Sequence, residues 1–231
     1  MNFSFLTKYW PFYVSGAKNT ILLALFAVVI GIAIGLVIAL MRLSKYKAVR
    51  FVATAYIEFI RGTPLLVQLF IIYYGLQSIG LRFPDIAWLS KIMGISTSDF
   101  MAGIVTLGIN SGAYVGEIFR AGIQAVDKGQ TEAARSLGMS HFMTMRYIII
   151  PQAIRNILPA LGNEFVVVIK ESSIVSIIGI ADLMYRADTV RGNTYQPFEP
   201  LIVAALIYFL MTFPLSKLLA YIERRMHAGD K

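Results

Sequence analysis

Uncharged apolar runs long enough to cross a bilayer constrain this chain more than any other feature. The run from Asn19 to Met41 holds about 23 residues without one charge. That is enough to span a hydrocarbon core of roughly 30 Å, and too long for the core of a signal peptide. Further apolar stretches follow at 51–81, 101–123, 156–180 and 201–222. Composition agrees, since 57% of the 231 residues are hydrophobic and 15% are charged, with mean hydropathy +0.68, whereas a soluble domain is about half apolar and about one quarter charged. The formal charge of +8 does not indicate nucleic acid, because the basic residues are spread between apolar runs rather than gathered into one stripe.

Those basic residues set the topology. Arg42, Lys45, Lys47 and Arg50 follow the first run with no acid among them, which places that loop in the cytoplasm and the N-terminus outside. Lys128, Arg135, Arg146 and Arg155 mark a second cytoplasmic loop, and Glu223, Arg224 and Arg225 lie in a tail that ends inside. The segments 81–100 and 181–200 carry balanced charge and several prolines, as external loops do. The sequence therefore predicts an all-α integral membrane protein in one domain over 1–231, with five transmembrane helices, N-terminus outside and C-terminus cytoplasmic. Pro64 should kink the second span. Met1 to Ala17, rich in Phe, Tyr and Trp, is expected to lie in the lipid interface without spanning. Gly31 and Gly35 form a close-packing pattern read as ordinary helix contact.

The polar stretch 127–151 lies between two strongly apolar regions. Asp127 and Ser140 suit helix N-caps, with Gln130 placed to reach back to the first, and Gly138 can close the intervening helix in a left-handed conformation. A helix, turn, helix loop results, the second helix running into Pro151. Ala133, Ala134 and Leu137 should form a small, weakly apolar face suited to a protein groove.

Glu132-Ala133-Ala134, then Gly138, then Ile148-x-Ile150-Pro151 resembles the EAA loop of the membrane-spanning permease subunit of binding-protein-dependent ABC importers. Ile150 stands where that pattern usually has Leu, a swap between aliphatics of equal volume. Arg61-Gly62-Thr63-Pro64, Asn110-Ser111-Gly112-Ala113-Tyr114 and Lys170-Glu171-Ser172-Ser173 are similar to the polar amino-acid uptake branch, so the resemblance covers nearly the whole length. It implies a multi-pass subunit of the bacterial cytoplasmic (inner) membrane, working by alternating access. Thr131, Glu132, Ala133, Ala134, Leu137 and Gly138 would couple it to an ATPase. The implied partners are a second permease chain (as homodimer or heterodimer), two ATP-binding subunits that hold ATP and Mg, and an extracytoplasmic solute-binding protein. No cofactor is implied for the chain itself.

Several intramembrane polar groups are substrate candidates, because a charge in lipid must face a partner or a water-filled cavity. On the third span, Gly108, Gly112 and Gly116 leave one face bare, while Asn110, Tyr114 and Glu117 share another, beside Ser111. Glu117 either lines a solute cavity or pairs with Arg120. The fourth span carries Glu164, Lys170, Glu171 and Ser172; a break at Lys170 could offer a helix N-terminus to a substrate carboxylate, or the group could be an internal ion pair with backbone-bonded serines. Glu58 and Arg61 are expected to neutralise each other, with Arg61, Thr63 and Gln68 near the pathway. Counting Glu117, Glu164 and Glu171 against Lys170, the cavity leans acidic, and a basic amino acid is the expected cargo.

No catalytic set is present. The chain has no cysteine, its two histidines, His141 and His227, are far apart with no metal-ligand pattern, and no phosphate-binding glycine loop occurs. The rival reading, a small intramembrane enzyme or channel subunit, would need a paired acid and nucleophile or a pore motif, and neither is seen.

Overall fold

In the computed structural model, residues 1–93 and 96–227 are described, and the regular elements among them are all helices, with no strand. Residues 94–95 of the expected external loop and the last four of the tail lie outside the described residues, as does the His227 side chain.

The first helix, α1, runs unbroken from Leu6 to Arg42. This corrects the expectation of a separate interfacial segment before Asn19. Two of the aromatic residues at the start, Phe5 and Tyr13, are buried by protein and pack with Leu183, Ala187, Val190, Val203 and Ala204, whereas Phe3 and Trp10 stay exposed. Tyr13 buries its ring and donates its hydroxyl to the Pro200 carbonyl at 3.2 Å.

Helix α1 and α5 (Thr97–Gln124) form the centre of the molecule. The glycines of the two helices face each other: a Cβ added at Gly31 would lie 2.8 Å from Ser111 Oγ, and one at Gly112 would lie 2.7 Å from Ile34 Cγ2. Small residues let the backbones approach, which is how helices associate when lipid removes the hydrophobic drive between them. Leu23, Ala27, Phe100 and Leu107 continue this contact and join Val168, Ile169 and Val175 in one core.

Between α1 and α5, the chain makes α2 (Lys47–Gly62), α3 (Leu65–Ser78) and the short α4 (Ala87–Met93). The break between α2 and α3 is a 104° bend, far more than the expected kink. Thr63 is extended because the residue before a proline is pushed out of the helical region, and Pro64 then opens α3. Gln68 locks the corner, its Nε2 donating to the Ile60 carbonyl at 2.7 Å and so occupying a carbonyl that the end of α2 leaves free.

After α5 come α6 (Lys128–Ser136) and α7 (His141–Thr144), then a π-helical turn at Met145–Ile149 that leads without interruption into α8 (Ile150–Glu171). Thus the second helix of the loop does not stop at Pro151. A proline ring clashes with the carbonyl four residues earlier, and the wider π turn just before it relieves that clash. Of the two readings at Lys170, the break is absent: α8 passes into a 3-10 helix over Ser172–Ile178, and the Ser172 amide bonds the Val168 and Lys170 carbonyls, so no free helix N-terminus forms.

The expected external loop after residue 180 contains α9 (Leu183–Thr194), followed by α10 (Glu199–His227). Asp182 caps α9 by accepting from the Tyr185 amide at 2.8 Å and is fully buried. Around it Asn19 Nδ2 donates to Ala181 O, the Leu183 amide to Thr20 Oγ1, and Tyr208 OH to Asp182 Oδ2. Burial pushes the Asp182 carboxyl up from its ordinary 3.8 to about 7. The folded state therefore binds a proton that the unfolded state releases near 3.8. Stability is greatest below that value and falls as pH rises toward 7. Asp182→Asn should flatten this slope, which thermal unfolding in detergent between pH 4 and about 7.5 reads directly; an unchanged slope would mean that Asp182 is not its source.

By length and composition α1 and α10 could each cross a membrane, and the bent pair α2–α3 passes the same test only as a pair. The remaining long helices, α5 and α8, carry the polar residues considered next.

Candidate functional site

The polar groups of α2, α3, α5 and α8 meet across helix interfaces. Gln68 on α3 also holds the residue at the corner, donating to Thr63 O and Thr63 Oγ1, and accepts from Asn110 Nδ2 on α5 at 3.0 Å. One residue further on, Ser111 donates to Glu164 Oε1 on α8 at 2.7 Å, and Glu164 is only 8% exposed. Buried polar groups must be bonded, and these pairs meet that requirement without using all the acceptors of Glu164.

Tyr114 and Glu117 leave this cluster. The Arg61 guanidinium lies 5.3 Å from the centre of the Tyr114 ring, so its contact is with the ring on α5 rather than with Glu58. Glu117 is gripped by Arg120, whose Nη2 and Nε reach Oε2 at 2.6 and 3.0 Å, while Arg42 Nη2 from the end of α1 stands 3.7 Å from Oε1. Arg42 also donates to Thr54 on α2. Of the two sequence readings of Glu117, the Arg120 pair is the one formed.

On α8, Lys170 and Glu171 are exposed and open on a hollow of about 780 Å³ shared with Leu65, Ser173 and Ile174. Ser172 is buried and donates to the Ile169 carbonyl at 2.8 Å, so its hydroxyl is occupied by backbone.

The loop over 127–151 forms a separate surface. Asp127 accepts from the Gly129 amide and Ser140 from the Met143 amide, so both caps form as expected, and Gly138 takes φ 80°. Gln130 does not reach back to its cap; its Oε1 accepts from Gln152 Nε2 at 3.4 Å. Ala134 turns inward at 4% exposure, while Glu132 and Ala133 stay exposed and Thr131 is half-buried. The apolar face is therefore made by Leu137, 84% exposed, with Phe142 and Met143 from α7. The sequence reading missed Phe142 and Met143. Their signal was two large apolar side chains directly after a capped turn, in a segment that must sit in water.

A polar seam across the helices and a capped loop with a bare apolar face suit a transport subunit. A match to the family described as binding-protein-dependent transport system inner membrane component covers residues 31–228. The chain belongs to that family. This permease is 42% identical over 227 residues to the putative glutamine transport system permease protein GlnP of Rickettsia felis, covering 97% of this chain and 98% of the relative. It is 37% identical to the arginine transport system permease protein ArtQ of Bacillus subtilis, covering 100% and 99%. A solved structure described as the crystal structure of an amino acid ABC transporter with histidines matches with TM-score 0.88 and 56% identity, over 97% of this permease and 99% of that chain. The protein is thus a membrane permease subunit of an amino-acid ABC importer.

Proposed function

We propose that this permease carries polar amino acids with cationic side chains inward through the seam between α3, α5 and α8. ATP hydrolysed by separate subunits docked on α6 and Leu137 would drive it. The observation that carries the cargo reading is Glu164, a buried carboxylate with one oxygen on Ser111 and Glu171 seven residues further along α8. With Glu117 held by Arg120, the acidic side of the seam is Glu164 and Glu171 against Lys170. An arginine relative and a structure solved with histidines support a cationic cargo, while the glutamine relative favours a neutral one.

Titration of the assembled complex with arginine and glutamine decides between them. Glu164→Gln should weaken arginine by about 1.5 to 3 kcal/mol, the worth of one charge-assisted hydrogen bond, and glutamine far less. Equal losses for both would assign Glu164 a packing role with Ser111.

Five crossings with the N-terminus outside complete the proposal, in a dimer with a second permease chain and with an external solute-binding protein as the donor. Cysteines placed at the exposed Ala48 and Ser140 should react only with reagents in the cytoplasm, and those at Ser96 and Asn193 only from outside. Labelling at Ser140 from the external side would overturn the topology.

A further inference from the structure

We propose that the hollow between the end of α3 and the first turn of α5 is a second, external site, which takes the zwitterionic head of a free α-amino acid before it reaches the seam. The hollow measures about 380 Å³, within the range of roughly 300 to 1,000 Å³ usual for small-molecule sites. Arg82 and Asp99 both line it, and among the described residues neither forms an ion pair. One unpaired charge of each sign, facing one space, is the complement of an ammonium and a carboxylate carried on the same carbon. The guanidinium fork suits the carboxylate, and Asp99 the ammonium. A dicarboxylate or a diamine would leave one of the two charges opposed.

The neighbouring groups sharpen this assignment. Asp85 accepts from Ser90 Oγ, the Thr97 amide and Thr97 Oγ1, so it holds the loop in shape; Asp99, whose partner is the neutral Tyr73 hydroxyl, is the carboxylate whose charge is left for a ligand. A charged hollow at α9 differs, because Asp188 and Arg191 there are bonded to each other at 2.6 Å and neutralise themselves. Tyr73 and Gln77 line the proposed site from α3. Gln77 lies about 14 Å along that helix from Gln68, so one helix would serve both the outer hollow and the seam.

The inference rests on the reading of this chain as an amino-acid permease, and its test separates the two. Binding of radiolabelled arginine and of glutamine to the assembled permease–ATPase complex, without solute-binding protein, should resolve two classes of site per permease chain. Arg82→Gln and Asp99→Asn, both at the rim, should each weaken the outer class about tenfold or more and leave the other unchanged, while Glu164→Gln should do the reverse for arginine. Agmatine, which lacks the carboxylate, should fail to compete at the outer class. A single class abolished by Glu164→Gln and untouched by Arg82→Gln and Asp99→Asn would overturn the outer site alone; absence of all binding would overturn both.

Discussion

Gly35→Leu should leave almost no folded permease in the membrane. A Cβ alone at Gly35 would stand 2.5 Å from Val115 Cγ1 and 2.8 Å from the Gly116 amide nitrogen. Val115 is fully buried and β-branched, hence nearly fixed in rotamer, and the amide is backbone, so neither can give way. The whole of α1 would have to lift from α5, opening the Gly31–Ser111 and Gly112–Ile34 contacts along with it. Overpacking one site costs about 1 to 3 kcal/mol where neighbours can adjust, and here the loss extends along the main interface of the fold. Gly75, with nothing near its added Cβ, is the control: Gly75→Ala should accumulate normally. Equal membrane levels and melting temperatures for Gly35→Leu and wild type would contradict this packing.

The second large effect is expected at the loop between α5 and α8. Leu137→Asp should disconnect the permease from its ATPase while leaving its own fold intact, since Leu137 is 84% exposed and supports nothing inside the chain. Burying a leucine on docking contributes about 1.5 to 3 kcal/mol, and placing a carboxylate in the same groove adds a desolvation cost. ATPase association should weaken by about 100-fold or more. Gly138→Val should act through the turn instead, at roughly 1 to 2 kcal/mol, because φ 80° is strained for a branched residue. Unchanged association in both variants would mean that this loop is not where the ATPase sits.

The long apolar helices and the capped loop were legible because each has a local cause: uncharged length for α1 and α10, and Asp127, Gly138 and Ser140 for the turn. What the sequence could not supply were contacts between distant segments. Phe5 and Tyr13 carry the same residue types whether they meet lipid or α9, and only the burial of Tyr13 against Pro200 separates these cases. Pro64 announces that α2 must end, but the size of the bend follows from Gln68 bonding both Ile60 and Asn110. Spacing leaves Glu117 open both to a cavity and to Arg120, and the choice becomes visible once Arg42, 75 positions earlier, is found beside it. For the site, the family motifs located Asn110 and Ser111, the cost of a charge in lipid singled out Glu164, and the packing of α5 on α8 then joined Ser111 to Glu164.

The most direct test of the central claim is ATP-dependent uptake of labelled arginine and glutamine into proteoliposomes containing this permease, its ATPase subunits and a solute-binding protein. Accumulation that requires ATP, and that Leu137→Asp abolishes together with ligand-stimulated hydrolysis, is the predicted result. Solute entry without ATP, or hydrolysis and uptake undisturbed by Leu137→Asp, would contradict the account.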